Sequence, residues 1–139
     1  MLHTPRAVTA ILKGVMDGGL TPQQLRTYRA GLLSRSQALV QRRAERRDKA
    51  WAVAKEAAAV LRSRYGATQV LVFGSLPEGT HFAERSDIDL AAAGLRPEDH
   101  FGALGRLLML SPDFVFDLVD LASCGADLRA AILSGGVEL

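Results

Sequence analysis

The sequence predicts an α+β domain: a small mixed sheet flanked by helices, carrying a long N-terminal helical extension. Three observations predict it. Residues 23–65 contain no proline and a single glycine, Gly31, within a run of alanine, arginine, leucine and glutamine, all good helix formers. Beyond Gly66, three short apolar runs are interleaved with helix-length segments. Charge is also divided along the chain. Residues 1–65 hold thirteen Lys and Arg against four Asp and Glu, and residues 66–139 hold four against eleven. The first part, 1–65, reads as a helical extension and the second, 66–139, as the core.

The elements follow in order. Residues 1–20 have the pattern of a short amphipathic helix ending at Gly18-Gly19. Thr21-Pro22 then supplies an N-cap and a proline at the first helical position. A helix from Gln23 to Tyr65 would span roughly 60 Å, too long for so small a domain, which predicts that part of it projects or that it breaks near Gly31. Trp51, Ala54, Ala58, Leu61 and Tyr65 share one helical face, which should pack on the sheet. Leu25, Leu32 and Leu39 repeat every seven residues, but their heptads are poorly filled. They read as a contact for a partner or a second copy, not as a coiled coil. Gln41–Lys49, QRRAERRDK, is polar all round. After the Gly66 stop come a strand at Gln69–Phe73, a strand at Asp87–Ala92, and a helix from Arg96 to near Leu110. Ser111-Pro112 breaks that helix, a strand follows at Phe114–Leu121, and a last helix at Ala126–Ser134 ends in Gly135-Gly136.

Composition narrows the class. Of 139 residues, 48% are hydrophobic, which supports a real core and argues against disorder. No apolar run approaches the ~18 residues of a membrane span, and the N-terminus lacks the apolar stretch of a secretion signal. One cysteine, Cys124, leaves no intrachain disulfide and no multi-cysteine metal site. These features point to the cytoplasm. The basic run Arg42, Arg43, Arg46, Arg47, Lys49 has no interleaved aromatics, so nothing favours nucleic acid. It reads as a solvated face or as a surface for an acidic protein.

The most informative segment is Val70–Leu90, VLVFGSLPEGTHFAERSDIDL. A buried strand runs into Gly74-Ser75, a turn-rich loop follows, and then Asp87-Ile88-Asp89. Carboxylates at i and i+2 on a strand point to the same side. Like charges held so close repel unless a cation lies between them. Hard oxygen ligands beside a Gly-Ser turn point to Mg²⁺ and a nucleoside triphosphate.

Gly74-Ser75, then eleven residues to Asp87-Ile88-Asp89 (within Ser86-Asp87-Ile88-Asp89-Leu90), and a later strand bearing Asp117 (Phe116-Asp117-Leu118-Val119-Asp120-Leu121) together resemble the pattern of the polymerase-β-like nucleotidyltransferases. The match is closest to the single-domain MNT type, and it covers about residues 67–139. The resemblance implies that fold, with two Mg²⁺ ions at Asp87 and Asp89 and Asp117 as third ligand or general base. It implies a triphosphate held by the backbone and hydroxyl of Gly74 and Ser75, with Ser86 among the nucleotide contacts. Asp120, three residues on, faces the other way and reads as a strand-end residue. The chain departs from the family in a loop one residue longer, and in Leu76-Pro77-Glu78-Gly79 where a basic residue usually follows Gly-Ser. Arg85 and His81 are the candidates to supply that charge.

By resemblance, the reaction is transfer of AMP from ATP to a hydroxyl of a protein acceptor. The partner is a helical HEPN-type toxin that antitoxins of this type adenylylate on tyrosine. Two rival readings stay open. One is a silent nucleotidyltransferase fold that neutralises its partner by binding. The other is an enzyme that modifies a small cationic molecule of the aminoglycoside kind.

Overall fold

A computed structural model describes residues 18–79 and 82–139. The amphipathic helix expected over 1–20 and the candidate His81 lie outside the described residues, apart from 18–20. The chain divides into two compact units, one ending at Gln41 and one running from Arg42 to Leu139.

In the first unit, helix α1 (Pro22–Tyr65) begins at a reciprocal cap. The Gln24 amide donates to Thr21 Oγ1 at 3.1 Å and the Thr21 amide donates to Gln24 Oε1 at 2.8 Å, which satisfies two N–H groups that a helix start otherwise leaves open. The helix runs through Gly31 without interruption, so the break expected there does not occur. One glycine costs a helix only about 1 kcal/mol, and its strong neighbours carry it. Leu25 and Leu32 of the heptad stay exposed, as do Leu33 and Val40.

The second unit holds the rest of α1 and the sheet. Strand β1 (Gln69–Phe73) leads into a single helical turn, α2 (Ser75–Glu78), and then β2 (Ile88–Ala93). A 3₁₀ turn (Pro97–Asp99) and α3 (His100–Leu108) precede β3 (Phe116–Asp120). Helix α4 (Ala126–Gly135) and a two-residue strand, β4 (Val137–Glu138), complete it. The strand order is β3-β2-β1-β4. β1 is antiparallel to β2 and β4, and β2 is parallel to β3. The predicted α+β class with its mixed sheet is the observed one.

Two departures concern the region around Gly-Ser and the C-terminus. Leu76-Pro77-Glu78 is not open loop but a helical turn, because Leu76 is fully buried and draws the segment onto the core. Strand β4 was not foreseen, since two residues after a glycine pair carry no period. It is held by pairing to Leu71 and Val72, and the Arg62 guanidinium donates to the Leu139 carbonyl.

The sheet is covered on both faces. Ala50, Ala54, Ala57, Ala58 and Leu61 of α1, with α3, meet Val70, Val72, Ile88, Leu90 and Leu118. The face expected from Trp51, Ala54, Ala58, Leu61 and Tyr65 is thus the one that packs, with Trp51 and Tyr65 at its half-buried margins. Alanines let the helix lie close to the strands. Helix α4 covers the other face through Ile132 against Leu71, Ala91 and Leu121. Among the described residues no polar side chain is buried within this core. No described helix is long and apolar enough to cross a membrane.

Leu61 is completely buried at the centre of the α1 contact. Leu61→Ala should lower unfolding free energy by about 3 kcal/mol, read as a lower urea midpoint at unchanged slope. A loss below about 1 kcal/mol would mean that α1 is not part of the cooperative core.

Candidate active site

Three strands bring the acidic residues to one end of the sheet. β1 ends at that end, while β2 and β3 both begin there, because β2 pairs antiparallel with β1 and parallel with β3. Phe73 stands opposite Asp89, and Asp89 stands opposite Asp117. By strand alternation Asp89 shares the sheet face of Ala91, and Asp117 that of Val119, the face that α4 covers further along. Asp87 lies one residue before β2 and is exposed, Asp89 is half-buried, and Asp117 is exposed.

The electrostatics follow from this crowding. The Asp89 carboxyl is held above the ordinary carboxylate range, first by its burial, then by the negative charges of Asp117 and Asp87. A carboxylate pushed in that direction by two others is unfavourable until a cation joins it. Among the described residues no group of three or more acidic, histidine or cysteine side chains is placed, as it stands, to hold a metal ion. The donor set is nonetheless all hard oxygen and open to solvent on the Asp87 and Asp117 sides, which suits Mg²⁺ with water completing its shell. Asp87 and Asp89, with Asp117, are the residues that would hold it.

Gly74 is adjacent. Its φ of 75° and ψ of −142° belong to glycine, and a methyl group there would overlap the Asp89 carboxylate. The missing side chain therefore makes room for Asp89 itself, a reason for glycine that the sequence reading did not contain. Ser75 opens α2, and its carbonyl accepts the Gly79 amide at 3.0 Å. Ser86 shapes the turn before Asp87, its Oγ accepting the Ala83 amide at 2.9 Å.

Asp120 is turned to local use. Its Oδ1 accepts the Ala122 amide at 3.0 Å and its Oδ2 the Ser123 hydroxyl at 3.0 Å, so it closes the turn after β3. A cavity of about 380 Å³ beside it, lined also by His100, Phe101 and Cys124, lies at the opposite end of β3 from Asp117. Cys124 is half-buried, and its thiol donates to the Leu121 carbonyl at 3.7 Å.

Two residues that motif reading passed over stand against the connecting loop. The Arg47 guanidinium lies over Gly79, where a Cβ would come within 2.7 Å of it. Arg46 bonds to the carbonyls of Ala83 and Asp113. The signal was present in the spacing: Arg46 precedes the buried Ala50 by four residues and Ala54 by eight, so it extends the packed face of α1.

A strand ending in Gly-Ser, a following Asp-x-Asp strand and a third carboxylate on its parallel neighbour define the nucleotidyltransferase class of fold. Solved structures agree. The chain superposes on a structure described as a minimal nucleotidyltransferase with a TM-score of 0.56 and 29% identity, over 67% of this chain and 95% of that one. It matches a toxin–antitoxin crystal structure with AMP-PNP at a TM-score of 0.54 and 26% identity, over 61% of this chain and 70% of the other. A third match, at a TM-score of 0.50 and 22% identity over 64% and 70% of the two chains, is a tri-AMPylated Shewanella oneidensis HEPN toxin in complex with MNT antitoxin. At that identity it speaks for the fold alone. No protein-family model and no curated protein matches the chain. The fold is that of a minimal nucleotidyltransferase, and the resemblance carried by Gly74-Ser75 and Ser86–Leu90 extends to three dimensions.

Gly74→Ala should cost about 2 kcal/mol or more of stability. Asp89→Ala added to it should recover part of that loss, because the carboxylate in the way is gone. Additive effects in the double-mutant cycle would separate the two residues. The raised Asp89 value also carries a pH dependence. The folded protein keeps a proton that the unfolded chain releases, so without metal stability falls as pH rises from about 3.9 to the folded-state value, and is flat above it. Asp89→Asn should remove this slope and be more stable than the parent at neutral pH. Thermal unfolding in chelator across pH 3–8 checks both outcomes.

Proposed function

We propose that this protein transfers AMP from ATP to a hydroxyl of a protein acceptor, with Mg²⁺ as cofactor. It would thereby act as the antitoxin of a helical HEPN-type toxin. The observation that carries the reading is the placement of Asp89 beside Gly74 and across from Asp117, with Asp87 just before the strand. The similar structure containing AMP-PNP supports a nucleotide as ligand. The same similar structure is a toxin–antitoxin assembly, which supports a protein partner.

In this reading Gly74 and Ser75 hold the triphosphate, Ser75 through its amide and hydroxyl, and Ser86 keeps Asp87 turned toward it. Asp87 and Asp89 are the Mg²⁺ ligands, completed by Asp117. Bound there, Mg²⁺ would neutralise phosphate charge and acidify the acceptor hydroxyl. The acceptor oxygen attacks the α-phosphorus in line. As the new P–O bond forms, the bond from the α-phosphorus to the bridging oxygen breaks and pyrophosphate leaves. Asp117, exposed and at the rim, is the side chain placed to take the hydroxyl proton. The exposed cations Arg42, Arg43 and Lys49 of α1 form a surface on which an acidic acceptor would dock.

One observation favours a second reading, in which the fold neutralises its partner by binding alone. The residues after Gly-Ser form a helical turn anchored by the buried Leu76 and ending in the exposed Glu78, and bring no cation of their own. The two readings separate by experiment. Incubation of the protein with α-labelled ATP, Mg²⁺ and source-cell lysate should label one acceptor band. Asp89→Asn should lower the rate by about a thousandfold or more, in the range of losing a directly acting group. No label from a folded protein that still captures its partner would establish the binding reading. Asp87→Asn should abolish an enzyme's neutralising effect and spare that of a stoichiometric inhibitor.

A further inference from the structure

Arg46 projects from α1 into the end of the sheet where the carboxylates lie. Its Nε donates to the Ala83 carbonyl at 3.3 Å, and one terminal nitrogen donates to the Asp113 carbonyl at 3.1 Å. Its guanidinium carbon stands 4.4 Å from the centre of the Phe114 ring, and Phe114 is itself buried. The two carbonyls belong to segments far apart in sequence, each of which leads into a strand that carries an aspartate of the site. Ala83 lies four residues before Asp87, and Asp113 lies four residues before Asp117.

The two segments come together because β2 and β3 pair in parallel, with Asp89 opposite Asp117, so that the stretches leading into both strands run side by side. Further contacts complete the junction. The Ser86 amide donates to the same Ala83 carbonyl at 3.0 Å, closing the turn that delivers Asp87. The Ile88 amide, between the two aspartates of the pair, donates across to the Val115 carbonyl at 2.9 Å. Arg46 is thus a fork with one prong on each leading segment, its plane braced on an aromatic ring. A planar guanidinium can serve two carbonyls at once in fixed geometry, whereas a lysine ammonium is a single point on a flexible stem. The neighbouring Arg47 covers Gly79, the other described edge of the loop.

We infer that Arg46 is a positioning residue, which clamps the leading segments of β2 and β3 so that Asp87 and Asp117 stand on either side of Asp89. The role rests on the proposed nucleotidyl transfer for its functional meaning. It gives α1 a part in the site, although none of the motif residues lies on that helix. The three carboxylates repel one another, and a device that keeps two of their carriers from separating is what such a site needs before a cation arrives. Residues that orient metal ligands through one intermediate contact typically alter metal affinity about 10–100-fold when lost.

The test compares the full-length protein with Arg46→Met, which keeps the aliphatic stem, and Arg46→Lys, which keeps the charge. Two quantities are measured: amide hydrogen exchange by NMR, and the affinity for Mg²⁺·ATP by calorimetry. In Arg46→Met the Ile88 amide should exchange about tenfold faster, the effect of losing roughly one good hydrogen bond's worth of local restraint. The Val70 and Leu90 amides should keep parental rates. The Mg²⁺·ATP dissociation constant should rise about tenfold, and Arg46→Lys should stay impaired in both measurements. Unchanged Ile88 exchange would overturn the inference. So would an acceleration spread evenly over the sheet, which would make Arg46 a general stabiliser. Arg46→Lys matching the parent would overturn the fork in favour of simple charge. If the parent protein, though folded, binds no Mg²⁺·ATP, the nucleotidyltransferase reading falls on its own, and Ile88 exchange still decides the clamp.

Discussion

The register between β2 and β3 is the constraint on which the rest depends. Parallel pairing sets Asp89 opposite Asp117, and antiparallel pairing with β1 sets the same Asp89 opposite Phe73, at the strand end where Gly74 follows. A slip of one residue in either pairing would turn Asp89 into the α1 interface and bring Ile88 or Leu90 to the open face. The cost of that error is large, because Ile88 and Leu90 are fully buried against α1. The hydrophobic core thus enforces a geometry that the carboxylates, left to their own repulsion, would abandon.

This division of labour explains why the site needs a rigid frame. Asp89 is strained electrostatically by its burial and by two neighbours of like charge, and the strain is tolerated because strand pairing, the missing side chain at Gly74 and the Arg46 contacts all hold it. On the proposed reading, a divalent cation bound at this end would relieve that repulsion. The same logic accounts for the absence of buried polar side chains elsewhere among the described residues. The charge conflict is confined to one sheet end, where solvent can reach it.

Much of this was legible in the sequence, and the limits are physical. β1 was readable to the residue because five apolar-rich positions are bounded by Gly66 on one side and Gly74 on the other. The gathering of the aspartates at one sheet end was readable because Gly-Ser, Asp-x-Asp and a third aspartate occur in order on three successive strands. The helical turn at Ser75–Glu78 was hidden by its proline and glutamate, which read as loop; only tertiary burial of Leu76 decides it. Strand β4 exists through its pairing to β1 and carries no local signal. The placement of Arg46 needed three dimensions, because its partners lie 37 and 67 positions away. The helical spacing to Ala50 and Ala54 could single out Arg46 among the arginines, but not the carbonyls it would meet.

The contrast between the basic helix and the acidic sheet end carries a final step of the argument. A minimal nucleotidyltransferase with no basic residue right after Gly-Ser must find positive charge elsewhere if it is to hold a triphosphate. Among the described residues, α1 offers guanidinium groups at the loop that connects Gly-Ser to Asp87: Arg47 against Gly79 and Arg46 at Ala83. Yet Asp89 and Asp117 lie on the sheet face that α4 covers, while α1 packs on the other. The arginines therefore act on the loop from behind, shaping and holding it, and on the proposed reading the charge that meets the phosphates would come from Mg²⁺ held by the carboxylates. On this view the long helix supports the loop by mechanics and lends it no charge by direct contact with the phosphates.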